Sequence, residues 1–169
     1  MDLSRLPPSP SSGLVHLLVV NPAGSRHLYD YCPDAGLMVL KRVLDSSIRH
    51  PFDHGFVPNT KALDGSPLAA MVIASEPIPT GCLIRARPIG LLELHEQDLC
   101  VSNLLCIPEA DPRQDAIRSI RQIAPAQLEE IAEFFRTIRH VEGGSVLRQG
   151  WRDANAVPPL LKTCAAVSR

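Results

Sequence analysis

The alternation of apolar and polar positions predicts strands and turns through most of the chain, followed by helices. Leu14–Val20 is a short apolar run that stops at Asn21-Pro22, a turn signal. Leu28–Cys32 and Leu37–Val43 flank the four residues 33–36, and this arrangement predicts a β-hairpin. Further strands are predicted at Ala70–Ala74, Cys82–Arg87, Ile89–Leu94 and Asn103–Ile107. Several short strands at this spacing indicate a small barrel or sandwich.

Residues 45–69 lack this alternation. They contain three prolines, two glycines and two histidines, which predicts a long irregular stretch. Long ordered loops are often functional, and the alternative is a structured surface loop without chemistry.

Two helices are predicted after the strands. The first begins at Pro125, a natural first-turn residue, and apolar side chains then recur at helical spacing: Leu128, Ile131, Phe135 and Ile138. The second follows Asp153, a good N-cap. Because a proline inside a helix removes a backbone hydrogen bond, we expect the regular helix to begin near Pro158. Its predicted buried face is Leu160, Leu161, Cys164 and Val167.

Composition points to one domain and excludes some partners. The chain has 169 residues, of which 45% are hydrophobic and 21% charged. Its net charge of −1 argues against nucleic acid and anionic membranes as partners. Residues 1–12 are rich in Pro and Ser and predict a flexible arm, so the single domain is expected to span 13–169. No apolar segment is long enough for a membrane helix and no signal peptide is evident, so a cytoplasmic location is expected.

The cysteines support that location. They are scattered, odd in number and form no C-x-x-C pair: Cys32, Cys82, Cys100, Cys106 and Cys164. This spacing does not fit a zinc site, and a disulfide framework is not expected in a chain of this size. We predict reduced thiols, several of them in the core.

An ordered set of motifs carries a family resemblance. The motifs are Asn21-Pro-Ala-Gly-Ser-Arg with Leu28-Tyr-Asp, Lys41-Arg-Val-Leu-Asp-Ser-Ser-Ile, His50-Pro-Phe-Asp-His-Gly-Phe-Val-Pro-Asn-Thr, Asp64-Gly-Ser-Pro-Leu-Ala, Arg87-Pro-Ile-Gly, Ile107-Pro, Phe134-Phe and Gly150-Trp-Arg-Asp-Ala. In this order and spacing the chain resembles the soluble family I inorganic pyrophosphatases of bacteria and cyanobacteria. The resemblance implies an α+β, mainly β fold, an OB-like five-stranded β-barrel flanked by C-terminal helices. It also implies an oligomer, usually a hexamer in bacteria.

The activity implied by the resemblance is Mg²⁺-dependent hydrolysis of diphosphate to two phosphates. Mg²⁺ prefers carboxylates and lowers the pKa of a bound water, and cationic side chains hold the phosphates. By matching positions, the catalytic candidates are Asp30, Arg42, Asp64 and Arg139. The substrate-binding candidates are Arg42, His50, His54 and Arg139, and the metal-binding candidates are Asp64 and Glu96.

Other positions depart from the family pattern. Ser66, Ala69 and Val101 stand where the resemblance leads us to expect metal-binding aspartates. Asn103 and Leu28 stand where the family has lysines. Ile138 stands where it has a tyrosine, and Val20 where it has a glutamate. We therefore expect a degenerate active site, in which Mg²⁺ binding is weak or lost and catalysis is reduced or lost.

Alternatives remain open at two points. His50 and His54 stand where the family has tyrosines, and they could bind a transition metal or donate hydrogen bonds to an anion. Pro51 and Gly55 favour a loop here, and in a loop the spacing of the two histidines does not by itself make them a pair of metal ligands. The chain is either an impaired hydrolase that binds diphosphate, or a non-catalytic phosphate-binding or regulatory subunit that assembles with an active paralogue. The oligomer would be homomeric in the first case and mixed in the second.

Overall fold

The computed structural model describes residues 3, 5–44, 47–96 and 99–165. Its strands are β1 (Val15–Asn21), β2 (His27–Cys32), β3 (Leu37–Val43), β4 (Asp53–Val57), β5 (Leu68–Val72), β6 (Leu83–Glu96), β7 (Leu99–Pro108) and β8 (Arg148–Asp153). Its α-helices are α1 (Pro125–Val141) and α2 (Val157–Ala165).

Five of these strands form a closed ring within the described residues. β1 pairs with β4 and β6, β4 pairs with β5, β5 runs parallel to β7, and β7 pairs with β6. β8 extends the sheet from β6, and β2 and β3 form a separate hairpin. The predicted OB-like barrel flanked by C-terminal helices is confirmed.

The strands bury apolar residues on both faces of the sheet. On β7, Leu104 and Cys106 join one apolar cluster, which includes residues of α2, whereas Leu105 and Ile107 join a second cluster beneath α1. This follows from the two-residue period of a strand, which sends neighbouring side chains to opposite faces. α1 covers the second cluster with Ile131, Phe134, Phe135 and Ile138.

The predicted hairpin and both helices are confirmed. α1 begins at Pro125, as its first-turn chemistry predicts. A short 3₁₀ turn over 154–156 precedes α2, and the Asp153 carboxylate caps it by accepting a hydrogen bond from the Ala154 amide at 2.8 Å. α2 begins at Val157, one residue before Pro158. On its predicted buried face Cys164 is buried, Leu160 and Leu161 are partly buried, and Val167 lies outside the described residues.

Three strand predictions were wrong. The stretch 45–69, predicted to be irregular, contains the strand β4. The strand β8 was not predicted at all. The predicted strands 82–87 and 89–94 form one strand, β6, whose register shifts between Pro88 and Gly90. Proline at 88 interrupted the apolar pattern, but a bulge accommodates it without ending the strand.

The N-terminal segment contacts the barrel. The Asn59 side-chain amide donates to the carbonyls of Leu3 (2.8 Å) and Leu6 (2.6 Å), and the His16 amide donates to Pro8 (2.8 Å). The division into an arm and a domain at residue 12 stays a prediction.

The structure forms no disulfide among the five cysteines, and Cys106 and Cys164 are buried, as predicted for several of them. Among the described residues, no helix has the length and apolar character needed to span a bilayer.

Candidate active site

A cavity of about 260 Å³ opens between the barrel, the hairpin and α1. Four predicted site residues line it: His50, His54, Asp64 and Arg139. Six residues at the departing positions line it too: Leu28, Ser66, Ala69, Val101, Asn103 and Ile138. Positions that the sequence separates by more than 100 residues therefore meet at one place.

Strand pairing brings these residues together. β5 and β7 run side by side with Ala69 opposite Asn103. Val101 lies two residues before Asn103 on β7, so both side chains face the same side of the sheet. α1 closes the cavity with Phe134, Phe135, Ile138 and Arg139, which lie on its inner face.

Asp64 lies at the exposed end of the cavity, in a turn that its own side chain stabilises. One carboxylate oxygen, Oδ1, accepts hydrogen bonds from the Ser66 hydroxyl at 2.6 Å and from the Ser66 amide at 3.0 Å. Asx-turns of this kind are common local structures. That oxygen is therefore already engaged by Ser66.

The two arginines of the site are engaged in ion pairs. Arg139 lies 2.8 Å from the Glu96 carboxylate and 3.5 Å from that of Glu142. Arg42 lies 3.4 Å from Glu142, which thus contacts both guanidinium groups. These pairs join β3, β6 and the C-terminal end of α1 around the cavity.

Asp30 lies apart from the smaller cavity. It lines a neighbouring groove of about 930 Å³ beside the β2–β3 hairpin and pairs with Lys41 at 3.3 Å across the two strands. Of the seven predicted site residues, Asp30 is the one that the structure does not bring to the α1 side.

His50 and His54 lie in an aromatic cluster. The His50 ring is 4.8 Å from the ring of Phe134 and stacks 6.3 Å from that of His54, whose own ring is 6.3 Å from Phe135. Burial lowers the pKa of His50 to about 3, with a further contribution from His54. Burial also lowers the pKa of His54 to about 4, against a hydrogen bond with the Asn103 side chain that raises it. Both imidazoles are therefore neutral at pH 7.

Three buried polar atoms of the cavity have no hydrogen-bond partner among the described residues. They are Nδ1 and Nε2 of His50 and Nδ2 of Asn103. His50 is 4% exposed and Asn103 is 3% exposed. An unsatisfied buried polar group costs free energy, so these atoms lower the stability of the fold as it stands.

Glu142 and Asn21 are cavity residues that the sequence analysis did not identify. Glu142 follows Arg139 by three residues at the end of α1, a spacing that puts the two on one face; this signal was available. Asn21 accepts a hydrogen bond from the Tyr29 amide at 2.7 Å, and nothing in the local sequence indicates that contact.

Across the part of the chain that the structure describes, no group of three or more His, Cys, Asp or Glu side chains could hold a metal ion. Ser66, Ala69 and Val101 line the cavity together with Asp64 and bring to it a hydroxyl, a methyl and an isopropyl group.

Comparison with known proteins identifies the family. The profile described as "Inorganic pyrophosphatase" matches residues 18–168. The chain belongs to the inorganic pyrophosphatase family. The inorganic pyrophosphatase of Synechocystis sp. is 45% identical over 164 residues, covering 97% of each chain. That of Nostoc sp. is 43% identical over 161 residues, covering 95% of each.

Solved pyrophosphatase structures share the fold. The crystal structure of inorganic pyrophosphatase from Thermus thermophilus superposes with a TM-score of 0.91 at 31% identity, covering 99% of both chains. The family resemblance read from the ordered motifs is therefore confirmed, and so is the barrel that it implied.

Proposed function

We propose that this chain is a pyrophosphatase-family protein whose capacity to hydrolyse diphosphate to two phosphates is strongly reduced or lost. The observation that carries the proposal is that Ser66, Ala69 and Val101 line the cavity beside Asp64. The family pattern leads us to expect a carboxylate at each of these three positions. The hydroxyl, methyl and isopropyl groups found there supply no negative charge to a metal ion.

The remaining carboxylates do not fit Mg²⁺ well. Mg²⁺ requires near-octahedral oxygen ligation, commonly with carboxylates at the site. Asp64 has one oxygen engaged by Ser66, while Glu96 and Glu142 are paired with Arg139. We therefore infer that Mg²⁺ binding is weak or lost.

The groups that would hold the substrate are also depleted. Diphosphate is a multiply charged anion, and its recognition depends on free cationic donors. Leu28 and Asn103 contribute no charge, and the guanidinium of Arg139 is shared between two carboxylates. Diphosphate entering the cavity would have to compete with Glu142 and Glu96 for the arginines.

The size of the expected effect follows from losing several groups together. Removing one preorganised group that stabilises charge in the transition state typically slows a reaction by about 10²–10³-fold. Groups that act as a unit are not additive, so these factors do not multiply. Loss of the metal-binding carboxylates would also remove the metal ion that activates water. We therefore expect hydrolysis of diphosphate to be slower by at least about 10²-fold.

Phosphate release by the purified chain tests this proposal. The assay supplies diphosphate with Mg²⁺, Mn²⁺ or Zn²⁺ and includes the Synechocystis sp. pyrophosphatase as a positive control. We expect release at least about 10²-fold slower than that of the control with each metal. Release within a few-fold of the control with any of these metals would sink the proposal.

A second candidate function is that of a non-catalytic subunit that assembles with further copies or with an active paralogue. It is favoured by exposed apolar residues on β3, where Leu37, Val39 and Leu40 are 63%, 49% and 51% exposed. Adjacent exposed apolar side chains commonly mark interaction surfaces. Light scattering gives the mass of the assembly, and co-purification with a motif-complete pyrophosphatase from the same cell identifies a mixed one. A monomer at high concentration with no such partner would contradict this candidate.

The other sequence expectations stay predictions. These are a cytoplasmic location, a hexamer, and the absence of nucleic-acid and membrane partners.

A further inference from the structure

Glu142 forms an ion bridge between two arginines beside the cavity beneath α1. Its Oε1 lies 3.4 Å from Nη2 of Arg42 on β3, and its Oε2 lies 3.5 Å from Nη1 of Arg139 on α1. Glu142 and Arg139 both line the cavity. Each carboxylate oxygen therefore engages a different guanidinium group, and sequence matching assigns both of these groups to phosphate.

The three side chains of this bridge are accessible to a ligand. Their exposed fractions are 38% for Glu142, 41% for Arg42 and 35% for Arg139. The other partner of Arg139, Glu96, is more buried and lies closer, at 2.8 Å. Glu96 therefore fixes the position of Arg139, whereas Glu142 makes the longer and more exposed contact.

The carboxylate of Glu142 does not stabilise the helix that carries it. Glu142 caps the C-terminal end of α1, where its amide donates to the Ile138 carbonyl at 3.0 Å, and Gly143 follows with a φ of 81°. The aligned peptide dipoles leave partial negative charge at this end of a helix, so a carboxylate here is unfavourable for α1. The contact that favours its position is the one with the two arginines.

The bridge can open without any movement of the backbone. The Gly144 amide donates to the Arg139 carbonyl at 2.8 Å, so hydrogen bonds hold the backbone on both sides of Glu142. The side chain of a glutamate changes direction by switching between staggered rotamers. Rotation of this one side chain is sufficient to free both guanidinium groups toward a ligand.

Exchange of the carboxylate for phosphate is favourable but has a cost. Ion pairs between partly exposed side chains contribute little, because water and salt compete with them. Phosphate oxygens form short charge-assisted hydrogen bonds with guanidinium groups, and diphosphate carries several negative charges where Glu142 carries one. Diphosphate therefore displaces Glu142, and breaking the bridge lowers its affinity.

We propose that Glu142 is a displaceable counter-ion that sets the affinity of this cavity for diphosphate. In the unliganded chain its carboxylate neutralises Arg42 and Arg139. Diphosphate replaces that carboxylate while Glu96 keeps Arg139 in place. This inference rests on the proposed function for the placement of diphosphate at the two arginines, and it adds a residue that controls binding separately from hydrolysis.

Glu142→Gln tests the proposal, because it keeps the length of the side chain and removes its charge. The full-length chain, free of added metal, is titrated with methylenediphosphonate by isothermal titration calorimetry at low ionic strength. The carbon bridge of this diphosphate analogue resists hydrolysis, so turnover cannot affect the result. We expect the variant to bind the analogue about threefold to tenfold more tightly than the unmodified chain, because no carboxylate competes for the arginines.

Glu130→Gln is the matched control. It makes the same change of charge on the same helix, at an exposed position that does not line the cavity. We expect its affinity for the analogue to stay within about twofold of that of the unmodified chain, since salt screens exposed charges that lie far apart. Thermal melting verifies that both variants are folded.

Three results would overturn the proposal. They are unchanged or weaker binding in folded Glu142→Gln, an equal gain in Glu130→Gln, and the absence of binding to both the unmodified chain and Glu142→Gln. The titration uses neither Mg²⁺ nor turnover. Its failure is therefore distinct from failure of the proposed function, which would appear as rapid phosphate release.

Discussion

Arg139, near the C-terminal end of α1, reaches the end of β6 and lies with Nε 2.8 Å from a carboxylate oxygen of Glu96. Sequence matching assigned these two residues different roles, one to phosphate and the other to metal. In the folded chain they neutralise each other. Both side chains are partly buried, so the pair ties α1 to the β6–β7 hairpin at the cavity rim.

Replacing this arginine should therefore affect stability. We expect Arg139→Leu to lower the free energy of unfolding by about 1 kcal/mol, because it leaves the Glu96 carboxylate partly buried without its partner. Arg136→Leu on the same helix removes surface pairs with Glu129 and Glu133 and should cost only about 0.3–0.5 kcal/mol. Urea unfolding of both variants gives the comparison, and a smaller loss for Arg139→Leu than for Arg136→Leu would contradict this account.

The buried histidines should make stability depend on pH. The pKa of His50 is lowered from 6.5 to about 3 on folding, so the unfolded chain binds a proton between these values and the folded chain does not. Stability is therefore highest above about pH 6.5 and falls as the pH is lowered toward 3. His54, whose pKa is lowered to about 4, acts in the same direction.

His50→Phe should flatten this dependence. The variant removes one titrating group while keeping a ring next to Phe52 and Phe134. We expect a smaller loss of unfolding free energy between pH 7 and pH 4 than in the unmodified chain, measured by urea unfolding at each pH. His140→Phe, at an exposed position, serves as the control, and an equal flattening in that variant would rule out burial of His50 as the cause.

A close approach between β1 and β4 should make residue 55 intolerant of any side chain. A Cβ added at Gly55 would lie 1.9 Å from the Leu18 carbonyl oxygen and 2.8 Å from its carbon, and both are backbone atoms. We expect Gly55→Ala to cost on the order of 4 kcal/mol or to prevent folding. Gly150→Ala on β8 meets no atom within 4 Å and should change stability by less than about 1 kcal/mol. Thermal melting separates the two, and similar melting temperatures would refute the predicted clash.

The same glycine explains part of what sequence reasoning missed. β4 contains His54 and Gly55 within a proline-rich stretch, so its local pattern indicates a loop. The strand forms because Gly55 allows close pairing with β1 while β5 pairs along the other edge. Pairing between distant segments is not encoded in local alternation, which is why β4 was missed.

β8 was missed for a different reason. It contains a single large apolar residue, Trp151, among arginines and a glutamine, and within the described part of the chain it pairs only with β6. An edge strand of this composition has little apolar periodicity. In contrast, α1 and the β2–β3 hairpin were predicted correctly because Pro125 and residues 33–36 are local signals for a helix start and a turn.

From the sequence, the candidate site could be predicted only as a set of positions, without the contacts between their side chains. The ordered motifs indicated which residues would meet, and ten of those positions do line one cavity. The ion pairs of Arg42 and Arg139 with Glu142 could not be predicted from the sequence, because they depend on where the end of α1 lies relative to β3.

We propose that the absence of carboxylates at Ser66, Ala69 and Val101 makes catalysis weak or absent. The most direct measurement is Mg²⁺-dependent phosphate release from diphosphate by three proteins side by side. These are the unmodified chain, the triple variant Ser66→Asp, Ala69→Asp, Val101→Asp, and a control in which the same three positions become Asn. We predict release near background for the unmodified chain and the Asn control, and a gain of at least about tenfold in the Asp variant, since only carboxylates supply charge to Mg²⁺. Fast release by the unmodified chain, or an equal gain in the Asn control, would contradict the account.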